Sequence, residues 1–192
     1  MKTRFYFIAF LLTLSTSLIN AQTVIQGTSS IGSGGGDILF GAKAGFVLSD
    51  LRGDGILDNS PHPGFQVGGI AEIPITGDFY LDPELLFSMQ GTNGLGDNLH
   101  LYYLNVPIMG KYHITEEIAV ELGPQLGVLL FGNNDDFNID ANTIDVGLGL
   151  GGGYRLDDNF YFQLRFNTGF LKVIDGLKTY NIAMQLGAAY FF

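Results

Sequence analysis

Nine ionisable residues stand at alternating positions of period-two segments: Lys43, Glu72, Asp82, Glu84, Lys111, Glu121, Asp145, Arg155 and Arg165. Carboxylates and cations in such rows have two uses. They can lock into a fixed ionic network, or they can relay protons and ions. Dense inward charges must pair in either case, because an unpaired buried charge costs several kcal/mol. Other motifs carry less. Gly147-Leu148-Gly149-Leu150-Gly151-Gly152 matches G-x-G-x-x-G in form. A dinucleotide site needs a helix to start there, and here the alternation runs on to Tyr154 as a strand. His62 and His100 are expected in loops, without a Ser–His–acid set of recognisable spacing. Asp50, Asp54 and Asp58, and then Asp135, Asp136, Asn138 and Asp140, are oxygen-rich stretches of the kind calcium favours, but neither has a full EF-hand loop. No catalytic, cofactor-binding or metal set is expected.

The elements that position these charges follow from the rest of the chain. Its 192 residues suit one domain. Met1–Arg4 is basic, Phe5–Ile19 is apolar, and a small residue stands at Ala21, the pattern of a signal peptide cut after residue 21. Residues 22–36, rich in Gly and Ser, read as a flexible linker. Without Lys2 and Arg4 the remainder holds seven basic against nineteen acidic residues, near −12. That balance lacks the basic footprint of a nucleic-acid binder. The absence of Cys excludes disulfides, thiol nucleophiles and a lipid anchor on Cys.

From Asp37 to Phe192 the pattern is period two, in segments bounded by Gly, Asn, Asp or Pro. It predicts eight strands, at 38–48, 64–75, 79–90, 101–114, 118–130, 143–156, 160–170 and 180–192. Tight connections (Thr76–Asp78, Thr115–Glu117, Asp157–Asn159) alternate with long ones near 49–63, 91–100, 131–142 and 171–179. Short turns at one end and long loops at the other are the habit of outer-membrane barrels. Pro74 falls near a strand end, whereas Pro83, Pro107 and Pro124 fall within strands, where bulges or register breaks are expected.

Which face meets water is decided by bulk and charge. The apolar rows are uniformly large, and eight such rows would overfill a narrow barrel interior. The charged rows are interspersed with Gly. Tyr102 and Tyr112, Phe160 and Phe170, and Tyr180 and Tyr190 each stand ten residues apart on the apolar face. Ten residues rise ~33 Å, or ~25 Å along the normal at a tilt of ~40°, the height of a lipid band between aromatic girdles. The fold class is therefore all-β: an eight-stranded antiparallel up-and-down transmembrane β-barrel over 37–192, preceded by the signal peptide and linker.

The tight turns set Lys111 opposite Glu121 and Glu72 opposite Asp82. Two clusters are expected towards the turn end, Lys111–Glu121–Arg155 and Lys43–Glu72–Asp82, with Arg165 and Glu84 further out. The Gly row at 147–153 leaves room for long side chains from across the barrel.

Phe40-Gly41-Ala42-Lys43-Ala44-Gly45-Phe46, Leu81-Asp82-Pro83-Glu84-Leu85-Leu86-Phe87-Ser88 and Leu104-Asn105-Val106-Pro107-Ile108-Met109-Gly110-Lys111-Tyr112 carry a family resemblance. So do Leu122-Gly123-Pro124-Gln125 and the terminal Leu186-Gly187-Ala188-Ala189-Tyr190-Phe191-Phe192. Over 37–192 the chain resembles the PorT-like outer-membrane β-barrel proteins of Bacteroidetes. The resemblance implies that the strand prolines are family features, and that Tyr190 and Phe192 belong to a C-terminal signal read by the barrel-insertion machinery. It assigns no activity. The expected partners are outer-membrane lipid, that machinery and an envelope protein. The leading functional reading is a structural or partner-binding barrel. The alternatives are a narrow pore and an enzyme acting on outer-membrane lipid.

Overall fold

A computed structural model describes residues 36–53, 60–93, 98–132, 144–170 and 179–192. The expected signal peptide and the linker up to residue 35 lie outside the described residues, as do Asp54, Asp58, Asp135, Asp136, Asn138 and Asp140. Eight strands follow in order: β1 (Leu39–Gly53), β2 (Ser60–Thr76), β3 (Phe79–Asn93), β4 (Asn98–His113), β5 (Ile118–Gly132), β6 (Ile144–Arg155), β7 (Phe160–Gly169) and β8 (Thr179–Phe191). Each pairs antiparallel with the next, and β1 pairs with β8, closing the barrel. Closure leaves no unpaired sheet edge, which a wall of apolar side chains in hydrocarbon requires.

The closing seam joins the two ends of the sheet. Gly41 faces Phe191, and Gly53 faces Thr179. The Phe192 N–H donates to Phe40 O at 3.0 Å, and Asn159 Nδ2 donates to Phe191 O at 2.7 Å. The turns fall at the three short connections. Gly77 takes φ 50° between β2 and β3, a left-handed conformation that suits glycine. Thr115 Oγ1 accepts from Ile118 N at 3.0 Å. Asp157 Oδ1 accepts from Asn159 N at 2.9 Å and Phe160 N at 2.7 Å.

At the loop end the strands run further than the alternation of residue types. β1 continues to Gly53, and β2 starts at Ser60. A hairpin ladder uses backbone groups and does not need an apolar side chain to continue. Asp50 lies in this extension of β1, opposite Ile182 of β8.

The prolines disturb the sheet less than expected. A register shift lies instead at Pro74/Thr76, beside the turn. Pro83 pairs with Ile108 and Leu86 with Asn105 in one unbroken register. Pro107 pairs with Gln125, and Pro124 with Leu148, also without a shift. An antiparallel residue directs its N–H to one flanking strand only, so a proline removes one bond and leaves the other ladder intact. Further shifts lie between Pro61 and Gln66, and between Tyr102 and Tyr103.

The two faces sort as the residue types require. On β7, Phe162, Leu164 and Phe166 are 44%, 51% and 55% exposed on the outer wall, while Arg165 between them is 0% exposed. Phe160, Phe170, Tyr112, Tyr180 and Tyr190 also face outward. Phe65, Phe87 and Tyr102 form an aromatic row across β2, β3 and β4, with ring centroids 6.4 and 5.9 Å apart.

Candidate functional site: the charged lumen

The inward rows build a closed ionic core. Near the turn end, Arg155 Nη2 donates to Glu72 Oε1 and Oε2 at 2.7 and 2.6 Å. Lys111 Nζ donates to Glu72 Oε2 at 2.7 Å and also binds Asp82. Lys111 thus stands between the two like-charged neighbours. The rings of Tyr161 and Phe191 complete this layer, with Lys111 Nζ 4.1 Å from the Tyr161 centroid and Arg155 Cζ 5.2 Å from that of Phe191. A cation over a ring face gains from the ring quadrupole.

A second cluster lies deeper. Lys43 Nζ donates to Glu84 Oε1 and Oε2 at 3.0 and 2.8 Å. Arg165 reaches Glu84 through Nη1 at 3.2 Å and Nη2 at 2.7 Å, and Nη2 also donates to Glu121 Oε2 at 2.8 Å. Glu121 receives the Tyr161 hydroxyl at 2.7 Å and the Gln163 amide as well. Lys43, Glu84, Glu121 and Arg165 are all fully enclosed. Planar guanidinium groups suit such forked carboxylate contacts.

Both expected clusters differ from those in the lumen. Lys111 does face Glu121 in the ladder, yet it binds Asp82 and Glu72, and Arg155 binds Glu72. Lys43 binds Glu84 and not Glu72. The turn-end cluster is therefore Glu72–Asp82–Lys111–Arg155, and the deeper one is Lys43–Glu84–Glu121–Arg165. Register fixes which Cβ atoms are neighbours, whereas long side chains in a narrow lumen reach diagonally and across. Tyr161 makes the difference at Lys111: its ring covers the Lys111 ammonium, and its hydroxyl binds Glu121. The Tyr161 side chain therefore contacts both members of the expected pair. Tyr161 and Gln163 share the alternating row of Arg165, so period two identified their face, but not their role as donors to Glu121.

The Gly row of β6 makes room mainly for the adjacent strand. A Cβ at Gly151 would meet Arg165 Cα at 3.1 Å, one at Gly149 would meet Asn167 Oδ1 at 2.6 Å, and one at Gly153 would collide with the Tyr161 ring. Met109 of β4, two strands away, also comes within 3.2 Å of the Gly149 position. The G-x-G-x-x-G stretch lies within a continuous strand and starts no helix. His62 is not in a loop: it lies within β2 and is buried. His100 belongs to β4, and its side chain lies outside the described residues.

Below the ionic core, a vestibule of about 760 Å³ opens at the turn end, lined by Glu72, Tyr80, His113 and Arg155 among others. Above it, towards the loops, a void of about 10 Å³ lies among Gln90, Gln125, Asp145, Asn167 and Asn181. Asp145 lies on β6 opposite Gly127 and makes no ion pair with another described residue.

The comparisons with known proteins agree with this architecture. The family model described as "Outer membrane protein beta-barrel domain" matches residues 20–175. No curated protein matches the chain. Among solved structures, Ail, the attachment invasion locus protein of Yersinia pestis, in complex with the heparin analogue sucrose octasulfate, superposes with a TM-score of 0.54 at 17% identity. That match covers 82% of this chain and 100% of Ail. Neisserial surface protein A gives a TM-score of 0.56 at 11% identity, covering 80% of this chain and 97% of its own. Likeness at this identity establishes the fold and carries no ligand across.

Proposed function

Since the chain belongs to the outer membrane protein beta-barrel domain family and resides in the outer membrane, we propose that it serves there as a closed barrel, structural or partner-binding, and not as a channel. The lumen carries this reading. Four cations and four carboxylates interlock across it between the vestibule and the small void. Eight strands enclose only enough space for side chains, whereas water-filled porins use about 16–18. The network is structural: it neutralises and fills the interior, and leaves the loop end as the surface offered to an envelope partner.

Catalysis is not part of this reading. His62 is enclosed by the wall, and each carboxylate of the ionic core is held by a cation. The motifs over 37–192 support a place among the PorT-like barrels of Bacteroidetes. Tyr190 in β8 and Phe192 just after it both face outward, which supports a role as an insertion signal for the assembly machinery.

In a planar lipid bilayer the folded protein is expected to give no steady conductance at either polarity. A sustained open channel would overturn the closed-barrel reading and favour the pore.

A further inference from the structure

The void at the loop end has a chemistry distinct from the ionic core. In the core each carboxylate meets a cation. Asp145 does not, among the described residues, and its Oδ1 is buried without a hydrogen-bond partner. Asn167, only 7% exposed, lines the same void, and neither of its amide atoms has a partner. Buried polar atoms are seldom left unsatisfied, and those that are call for an ion or a water. Glycines keep both oxygens clear. A Cβ at Gly169 would stand 2.8 Å from Asp145 Oδ1, and one at Gly149 would stand 2.6 Å from Asn167 Oδ1. The remaining amides are partly engaged, with Asn181 Nδ2 donating to Gln90 Oε1 at 2.6 Å.

We propose that this void is a binding site for one hard metal cation of the sodium or calcium class, held by the Asp145 carboxylate and the Asn167 amide oxygen. The lining offers oxygen and amide groups and no sulfur or imidazole, a set that suits hard cations and not soft ones. A free volume of about 10 Å³ admits one water-sized particle. The cation supplies the positive partner that Asp145 lacks among the described residues and extends to the loop end the neutrality of the core below.

The test uses the full mature protein refolded in lipopolysaccharide-free detergent micelles. Its urea unfolding midpoint is measured in calcium, sodium and choline chlorides at matched ionic strength. Calcium or sodium should raise the midpoint above that in choline, and whichever does so identifies the ion. For calcium, half of the effect is expected near 10⁻⁴–10⁻³ M, about the range of weak oxygen-ligated sites. Asp145→Asn should abolish the difference. Asn167→Asp, which adds a carboxylate, should move half-saturation to lower concentration. Equal midpoints in the three salts would overturn the proposal. So would a cation effect that survives Asp145→Asn, which would place the ion in the acidic loops, or an unchanged response in Asn167→Asp.

Discussion

Replacing Arg165 with methionine is expected to lower the stability of the folded barrel by about 3–5 kcal/mol, the cost of breaking a buried ion pair from one side. Arg165 is 0% exposed and joins two carboxylates that come from strands on different parts of the wall. Without it, Glu84 still has Lys43, but Glu121 keeps only the neutral donors Tyr161 and Gln163. The loss therefore falls mostly on Glu121. Adding Glu121→Gln to the Arg165→Met background should recover part of the stability, giving a coupling of about 0.5–3 kcal/mol in a double-mutant cycle. Arg155→Met should cost less. Its side chain is 16% exposed at the vestibule, where water can solvate the Glu72 carboxylate left behind. Urea titrations in lipid vesicles measure these variants and the Glu121→Gln single variant that the cycle needs. Equal losses at Arg155 and Arg165 would contradict the enclosure of the deeper cluster.

Leu164→Arg is expected to destabilise the protein by about 2–4 kcal/mol in a bilayer, as for a cation at the midplane of a barrel's lipid face. Leu164 lies midway along the outer row of β7, opposite Leu186 and Gly152, and is half-exposed. The same change at Ile114, in the turn between β4 and β5, should cost only about 0–1 kcal/mol, because it lies near the interface where the head group is hydrated. The contrast is diagnostic. On a water-facing surface both changes would fall within about 0.5 kcal/mol of neutral. Refolding yield and urea midpoint in vesicles measure the pair.

Strands, faces and turns were legible in the sequence because each depends on local pattern. Period two fixed the faces of β7 and β8, and Gly, Thr and Asp marked the three turns. The network partners were not, because they depend on which long side chains meet inside a narrow lumen. Lys111 and Glu121 are ladder neighbours, yet Tyr161 lies against both and Lys111 pairs with β2 and β3. Proline chemistry argued for breaks at Pro83, Pro107 and Pro124, while the ladder tolerates one lost donor on one side. His62 looked like a loop residue because the apolar alternation fades before the hairpin does. Its burial reflects backbone pairing that continues past the apolar band.

In this barrel the bulky rows contact acyl chains while the charged rows are enclosed. The chain contains no tryptophan, so Leu164→Trp supplies a single indole reporter. In vesicles containing brominated phospholipid, its emission should be blue-shifted and strongly quenched by the bromine. Red-shifted emission, insensitive to the bromine in a folded protein, would place that row in water and contradict a lipid-facing wall.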